Sequence, residues 1–356
     1  MATAMRFGVV GAGFWAPFQI AGWLEVGGVA PVAICNRTRA KAEALAARFG
    51  IPRVYDDAEA MLQAERLDFV DIITAVETHA QFVRLAAKHR VPVICQKPMA
   101  PDYATAADMV RICREANVPF AIHENWRFQW PIRRLKAVLG RDSIGRVFRA
   151  RIHYCNSFPV FENQPFLREL EQFILTDMGS HLFDVARFLF GEAKSIYCRT
   201  AQVTPGIKGE DVATAMLEMA DGITVVVEMS YASRLEHERF PETYVYVEGE
   251  RGSVELGPDY WIRVTTSEGT HAQRFRPPRY AWADPAYDLV HASIVAANAS
   301  LLEALRAGRA AETSGEENLK TMELVFKAYA SAAQGRVVRI GTDDRCAPPA
   351  GTEGET

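Results

Sequence analysis

Lys97 stands at the carboxyl end of an apolar, β-branched run, Val91 to Cys95, and Pro98 follows it directly. In an open α/β sheet, ligands gather beyond the carboxyl ends of the strands, so a lysine there is presented to a site; the alternative is a solvated surface lysine. A second cluster lies further along, Thr176-Asp177-Met178-Gly179-Ser180-His181-Leu182-Phe183-Asp184. On a helix, Asp177, His181 and Asp184 share one stripe. A carboxylate beside an imidazole favours the imidazolium and fixes the ring for proton exchange with a hydroxyl. The competing reading is a helix-start aspartate next to a half-buried histidine. No metal is expected, because the cluster lacks a second imidazole and no H-E-x-x-H occurs.

These groups need a scaffold that brings them together. The short strand Met5 to Val10 runs into Gly11-Ala12-Gly13-Phe14-Trp15-Ala16 ahead of a predicted helix. This is the G-x-G-x-x-A pattern in its required context: the first glycine for a tight turn, the second for close approach of a pyrophosphate, the alanine for helix packing. Phe14 and Trp15 belong to the same loop. A second strand, Gly28 to Cys35, ends at Asn36-Arg37-Thr38, where an acid would grip the ribose hydroxyls. Asn36 can hydrogen-bond a ribose, and Arg37 can stack on adenine or pair with a 2′-phosphate, so both NAD and NADP stay open. Helices and strands then alternate to Pro119–His123, with Thr74 and the loop to His79 bordering the cofactor. That rhythm predicts a doubly wound parallel sheet.

From Gly145 the texture changes to β-rich segments joined by turns such as Asp221-Gly222, which predicts a large, mostly antiparallel open sheet. One helix, from about Thr176 to Phe190, interrupts it, and two more follow, Pro285 to Ala307 and Gly315 to Ala333. The expected division is a dinucleotide-binding domain over 1–125, a substrate-binding and oligomerisation α/β domain over 126–341, and a flexible tail over 342–356.

Composition narrows the partners. The chain has 356 residues, 49% hydrophobic and 24% charged, with a formal net charge of -4. No basic stripe offers itself to nucleic acid and no polybasic patch to a membrane. The six cysteines are spread out without a C-x-x-C pair, as reduced thiols of a cytoplasmic protein would be. No apolar signal core precedes the first strand, and no stretch of eighteen apolar residues is expected anywhere, so nothing is expected to export or anchor the chain.

The ordered set Gly11-Ala12-Gly13, Thr78-His79, Lys97-Pro98, Asp177-x-Gly179-x-His181-x-x-Asp184, Gly315-Glu316-Glu317-Asn318-Leu319 and Ala328-Tyr329-x-Ser331 resembles the glucose-fructose oxidoreductase, inositol dehydrogenase and rhizopine catabolism family, over residues 5 to 340. The resemblance implies a Rossmann domain followed by an α/β domain whose open sheet forms homodimers or homotetramers. It also implies hydride transfer between nicotinamide and a secondary alcohol or lactol carbon of a sugar or cyclitol. Lys97 matches the lysine of the family's E-K-P loop, with Gln96 where the family usually has Glu, and Asp177 and His181 match its proton-transfer pair. The stretch Gln96-Lys97-Pro98 with His123-Glu124-Asn125-Trp126-Arg127-Phe128 resembles a pentose-type subgroup, such as D-apiose dehydrogenases. In that chemistry His181 is the base and Lys97 stabilises the developing alkoxide. Asn125, Arg127 and Asn156 are candidate substrate contacts, with ordinary turn polarity as the alternative, and Trp15, Trp126 and Trp282 are candidate stacking rings. Two other functions fit the family: a glycosidase using transient oxidation by tightly held NAD, and a cofactor-binding sensor without catalysis.

Overall fold

The computed structural model describes residues 4–341. Its first half alternates β1 (Met5–Val10), α1 (Ala16–Val26), β2 (Val29–Cys35), α2 (Arg39–Phe49), β3 (Arg53–Tyr55), α3 (Ala58–Ala64), β4 (Phe69–Ile72), α4 (Val76–Lys88), β5 (Val93–Gln96), α5 (Tyr103–Glu115) and β6 (Phe120–His123). All six strands are parallel, in the order β3-β2-β1-β4-β5-β6. β4, β5 and β6 are buried along their whole length, as strands covered by helices on both faces must be. The order reverses between β1 and β4, which opens the crevice where an α/β sheet holds its ligand.

After β6 a 3-10 turn, Trp126–Phe128, leads into α6 (Trp130–Leu139). This helix is absent from the sequence expectation, although Ile132, Leu135, Val138 and Leu139 give it an apolar stripe among basic residues. There follow β7 (Val147–Cys155), α7 (Val160–Asn163), a π-helical turn Leu175–Gly179, α8 (Ser180–Phe190), β8 (Ala193–Ala201), β9 (Val212–Met219), β10 (Thr224–Ser230), β11 (Tyr244–Gly249), β12 (Gly252–Gly257), β13 (Trp261–Thr266), β14 (Gly269–Arg274), α9 (Asp288–Ala307), α10 (Gly315–Gln334) and β15 (Val338–Arg339). The second sheet runs β14-β13-β12-β11-β7-β10-β9-β8-β15, antiparallel except where β10 lies parallel to β7. β13 and β14 also escaped the sequence reading. The edge strand β14, GTHAQR, is exposed almost throughout and carries no apolar alternation to announce it.

Period-2 burial puts Ala213, Ala215, Leu217 and Met219 of β9 on the inner face and Met216 outside. α8 is buried nearly all round, against the inner face on one side and α10 on the other. α10 packs on β8 and α8 and also reaches α5 and β6, while α9 packs along α1, so the last two helices tie both sheets together. Thr313 lies beside β6: the Ile122 N–H donates to its carbonyl at 2.8 Å, its hydroxyl donates to the Ile122 carbonyl at 2.7 Å, and Ser314 bridges Ala121. By length and composition the segment Pro285–Ala307 would span a membrane, a feature a search for unbroken apolar runs passes over because Asp288, His291 and Asn298 interrupt it. Here its apolar positions Leu289, Ile294, Leu301 and Leu302 are buried in the protein. The described cysteines are free thiols; Cys346 and the predicted tail over 342–356 lie outside the described residues.

Candidate active site

One cleft of about 1660 Å³ follows the carboxyl ends of β1, β2, β4 and β5 and continues between the two sheets. Small-molecule sites usually measure about 300–1,000 Å³, so this one has room for a dinucleotide and a second small molecule.

At the far end lies the glycine turn. Gly11 has φ +114°, and a Cβ there would sit 2.4 Å from the Ile73 carbonyl oxygen, so the first glycine is required by both conformation and space. Gly13 differs: a Cβ there would meet nothing within 4 Å, which leaves an open cradle at the start of α1. Backbone N–H groups at a helix start facing such a cradle suit a pyrophosphate. The Ala12 N–H donates to Asn36 Oδ1 at 3.0 Å, and Asn36 Nδ2 donates to the Thr38 carbonyl at 3.0 Å. Asn36 thus pins the turn to the end of β2. Arg37, Thr38, Lys41, Asp56 and Asp57 line this end of the cleft.

Phe14, Trp15, Thr74, Gln96 and Lys97 line the wall between the two ends. His79 sits one layer behind it, almost fully buried. Its Nε2 lies 3.1 Å from the Thr74 carbonyl, and its Nδ1 lies 3.1 and 3.3 Å from the carbonyls of Pro98 and Met99. The ring clamps the loop after β4 to the loop after β5, and burial pushes its pKa down against those carbonyls.

At the near end, Lys97 Nζ donates to Asp177 Oδ1 at 2.8 Å and to the Asp177 carbonyl at 3.1 Å. Tyr231 donates to Asp177 Oδ2 at 3.2 Å. Burial pushes the Asp177 carboxyl up, but Lys97, His181 and Tyr231 outweigh it and hold the pKa below the usual carboxylate range. The expected Asp177–His181 pair is therefore replaced by an Asp177–Lys97 pair across the cleft. The π-helical turn at Leu175–Gly179 changes the register on which a shared helical stripe depends.

His181 finds its carboxylate elsewhere. Its Nδ1 lies 2.5 Å from Oε1 of Glu124, the residue that follows β6. The Trp126 N–H donates to the same oxygen at 3.0 Å, while Glu124 Oε2 is buried with no protein partner. The imidazole stacks on the Trp126 ring, centroids 4.4 Å apart at 23°. Burial, helped by Lys97, holds the pKa of His181 well below its ordinary value, and burial raises that of Glu124 to about 7. The imidazolium expected from the sequence gives way to a neutral ring. With Nδ1 committed to Glu124, Nε2 is left for the cleft that His181 lines. Tyr154 stands beside this pair, its buried hydroxyl near Tyr231 and Asn156 and its ring edge-on to Trp126 and Tyr231.

The proposed substrate contacts separate. Asn125 lines the cleft, its Nδ2 tied to Ser293 Oγ at 2.8 Å. Arg127 lies off the cleft lining: Nε and Nη2 grip the Asp184 carboxylate at 2.7 and 2.6 Å, and Nη1 donates to the Glu312 carbonyl. A guanidinium this deep requires a paired anion, and Asp184 on α8 supplies it, which removes Asp184 from the proton-transfer stripe as well. Asn156 also lies off the lining, where its Oδ1 accepts the Phe158 N–H at 3.1 Å and shapes the loop after β7. Trp126 and Trp15 line the cleft; Trp282 stacks on Tyr280 outside it. Glu124, Tyr154 and Tyr231 were not named as site residues from the sequence. Glu124 did carry a signal, a charged residue directly after a buried parallel strand, the same signal that marked Lys97.

This is the architecture of an oxidoreductase with a dinucleotide-binding half and a catalytic half. Residues 5–124 match the oxidoreductase family with an NAD-binding Rossmann fold, and residues 132–255 match the GFO/IDH/MocA C-terminal domain. The chain belongs to that family. It is 41% identical over 339 residues to the D-apiose dehydrogenase of Rhizobium rhizogenes, covering 95% of this chain and 98% of that one. It is 40% identical over 348 residues to the D-apiose dehydrogenase of Paraburkholderia graminis, covering 97% and 93%. Among solved structures, an oxidoreductase from Agrobacterium radiobacter in complex with NAD+, L-tartaric acid and magnesium superposes with a TM-score of 0.93 at 41% identity, covering 95% of this chain and 99% of that one.

Proposed function

We propose that the protein oxidises a pentose-type sugar, with D-apiose the first candidate, by transferring hydride from a hydroxyl or lactol carbon to nicotinamide. The observation that carries this reading is the convergence of Lys97, from the parallel sheet, and the Glu124–His181 pair on one cleft lined by Trp126 and Tyr154. Relatives named D-apiose dehydrogenases, 41% and 40% identical over nearly the whole chain, support the sugar class. The nicotinamide ring, when bound, supplies the hydride acceptor. His181 Nε2 takes the hydroxyl proton, while Nδ1–H stays on the Glu124 carboxylate, which steadies the imidazolium that forms. Lys97 faces the oxygen on which negative charge develops, and Asp177 and Tyr231 hold the ammonium in place. Asn125 and Tyr154 offer hydrogen bonds to the other hydroxyls.

The adenosine end supports NAD as the working cofactor, with NADP admitted through Arg37: no acid at the end of β2 repels a 2′-phosphate, but Asp56 and Asp57, after the neighbouring β3, put negative charge into the same end of the cleft. A screen of pentoses, hexoses, inositols and sugar acids with both cofactors, followed by nicotinamide absorbance, tests the function. Reduction with D-apiose or another pentose is expected; no reduction with any sugar and either cofactor would end this reading. In the same assay Arg37→Ala is expected to weaken NADP more than NAD. Equal loss would identify adenine stacking instead.

Outside the cleft, the outer face of the nine-stranded sheet leaves Met216 and Tyr246 exposed beside the paired charges Arg149–Glu248 and Arg151–Glu228. A homodimer or homotetramer of a cytoplasmic enzyme would cover this face. Sedimentation velocity at micromolar concentration is expected to show a dimer or larger; a monomer throughout would exclude it.

A further inference from the structure

Beneath Lys97 runs a chain of buried polar side chains whose directions are set from one end. Asp71, in β4, is fully buried, and its partners are neutral donors: Gln19 Nε2 at 2.8 Å from each oxygen and Trp23 Nε1 at 2.7 Å from Oδ2. Burial raises the Asp71 pKa to about 7, while the Trp23 and Gln19 N–H groups favour the carboxylate; that form only accepts, so Gln19 turns its amide nitrogen to Asp71 and its oxygen away. That oxygen accepts from Gln96 Nε2, which leaves Gln96 Oε1 to accept the Lys97 backbone N–H at 3.1 Å. Gln96 Nε2 also faces His123 Nδ1 at 3.3 Å, making that nitrogen an acceptor and placing the ring proton on Nε2, 3.0 Å from Asn298 Oδ1. Burial holds the pKa of His123 down to about 4, consistent with a neutral ring in that tautomer. Asn298 Nδ2 then reaches back to the Gln19 carbonyl at 3.4 Å. Every link has one direction, and Asp71 is the only carboxylate among them.

We propose that Asp71 is a positioning residue that acts through Gln19 and Gln96 to fix the hydrogen bond holding the Lys97 backbone at the cleft floor. The proposal rests on the reading of Lys97 as the group that faces the reacting oxygen. It has a specific corollary, because the chain of side-chain links can also run in the opposite sense when the carboxylate stands at the other end. With Glu at position 96 and Asn at position 71, Gln19 flips so that its Nε2 donates to Glu and its oxygen accepts from the Asn nitrogen. The Trp23 N–H then meets the Asn oxygen, the Lys97 N–H still meets a carboxylate oxygen, and His123 must carry its proton on Nδ1. Two contacts are lost: the 3.4 Å one from Asn298, and one of the two that Gln19 makes to residue 71, where its oxygen must turn from the Asn oxygen toward the nitrogen. Either exchange made alone leaves a donor facing a donor, or two carboxylates in one dry chain.

The experiment is the double-mutant cycle of Asp71→Asn and Gln96→Glu, assayed with NAD and D-apiose, with the His123 tautomer read from imidazole nitrogen shifts in isotope-labelled protein. Each single variant is expected to lose about 10-fold or more in kcat with a smaller change in KM for NAD, and the double variant to return to within about 3-fold of the parent. The ring proton is expected on Nε2 in the parent and on Nδ1 in the double variant. If the singles fail to fold, a folded double variant that turns over within about 3-fold of the parent sustains the proposal, and one that folds but has lost about 10-fold or more overturns it. Losses that add in the double variant, or a proton that stays on Nε2, overturn it. Full turnover by Lys97→Met would sink the role assigned to the lysine, whereas the tautomer test of the chain's direction would stand apart from it.

Discussion

Lys97→Met is expected to keep NAD binding and the folded structure while turnover falls by at least about 100-fold, the scale of a lost positioned electrostatic or acid-base group. Methionine retains most of the length and apolar volume of the lysine stem, so the cleft wall survives. What disappears is the ammonium that lies 2.8 Å from Asp177, the only lysine nitrogen among the described residues at the near end of the cleft. The half-buried Asp177 carboxylate then keeps only Tyr231 of its two side-chain donors, and its pKa should rise accordingly. Fluorescence titration with NADH separates binding from turnover, and a thermal melt checks the fold. Near-native kcat would remove Lys97 from the chemistry.

His181→Asn should cost more, about 10³-fold in kcat, because the amide cannot take the hydroxyl proton. Glu124→Gln is expected to lose about 100-fold: its amide can present nitrogen rather than oxygen to Nδ1, which shifts the ring proton toward Nε2 and turns the base away from the substrate. Asp177→Asn should fall less than His181→Asn, since it only loosens Lys97. The three variants are compared by kcat at saturating NAD. If Glu124→Gln keeps full turnover, the carboxylate at 2.5 Å from His181 is a packing partner and the base acts without it.

The alternating strands and helices, the glycine turn and the lysine at the end of β5 were legible because each rests on local pattern: period, turn chemistry and a charge after a buried strand. The partners were not. Asp177 and His181 read as a pair under helical spacing, but the π-helical turn changes that register, and the actual pairs, Lys97 with Asp177 and Glu124 with His181, join positions distant in the chain that only the tertiary fold brings together. Arg127 looked like a substrate ligand because nothing local revealed that Asp184 would lie against it. Strand β14, GTHAQR, was missed because it has no apolar pattern of its own, whereas helix α6 and strand β13, WIRVTT, carried local signals that the sequence reading passed over.

The short segment at Thr313 and Ser314 that lies along β6 has a consequence for how this chain can be divided. β6 is the last strand of the parallel sheet, and its outer rim is covered by residues from the far end of the sequence. A fragment ending at residue 125 would contain every parallel strand yet leave that rim bare, an unpaired row of N–H and C=O groups of the kind that recruits other chains. The dinucleotide-binding half is thus contiguous in sequence but capped from the other half. Exchange of one half for that of a relative must carry the 311–334 stretch along with the strands it protects.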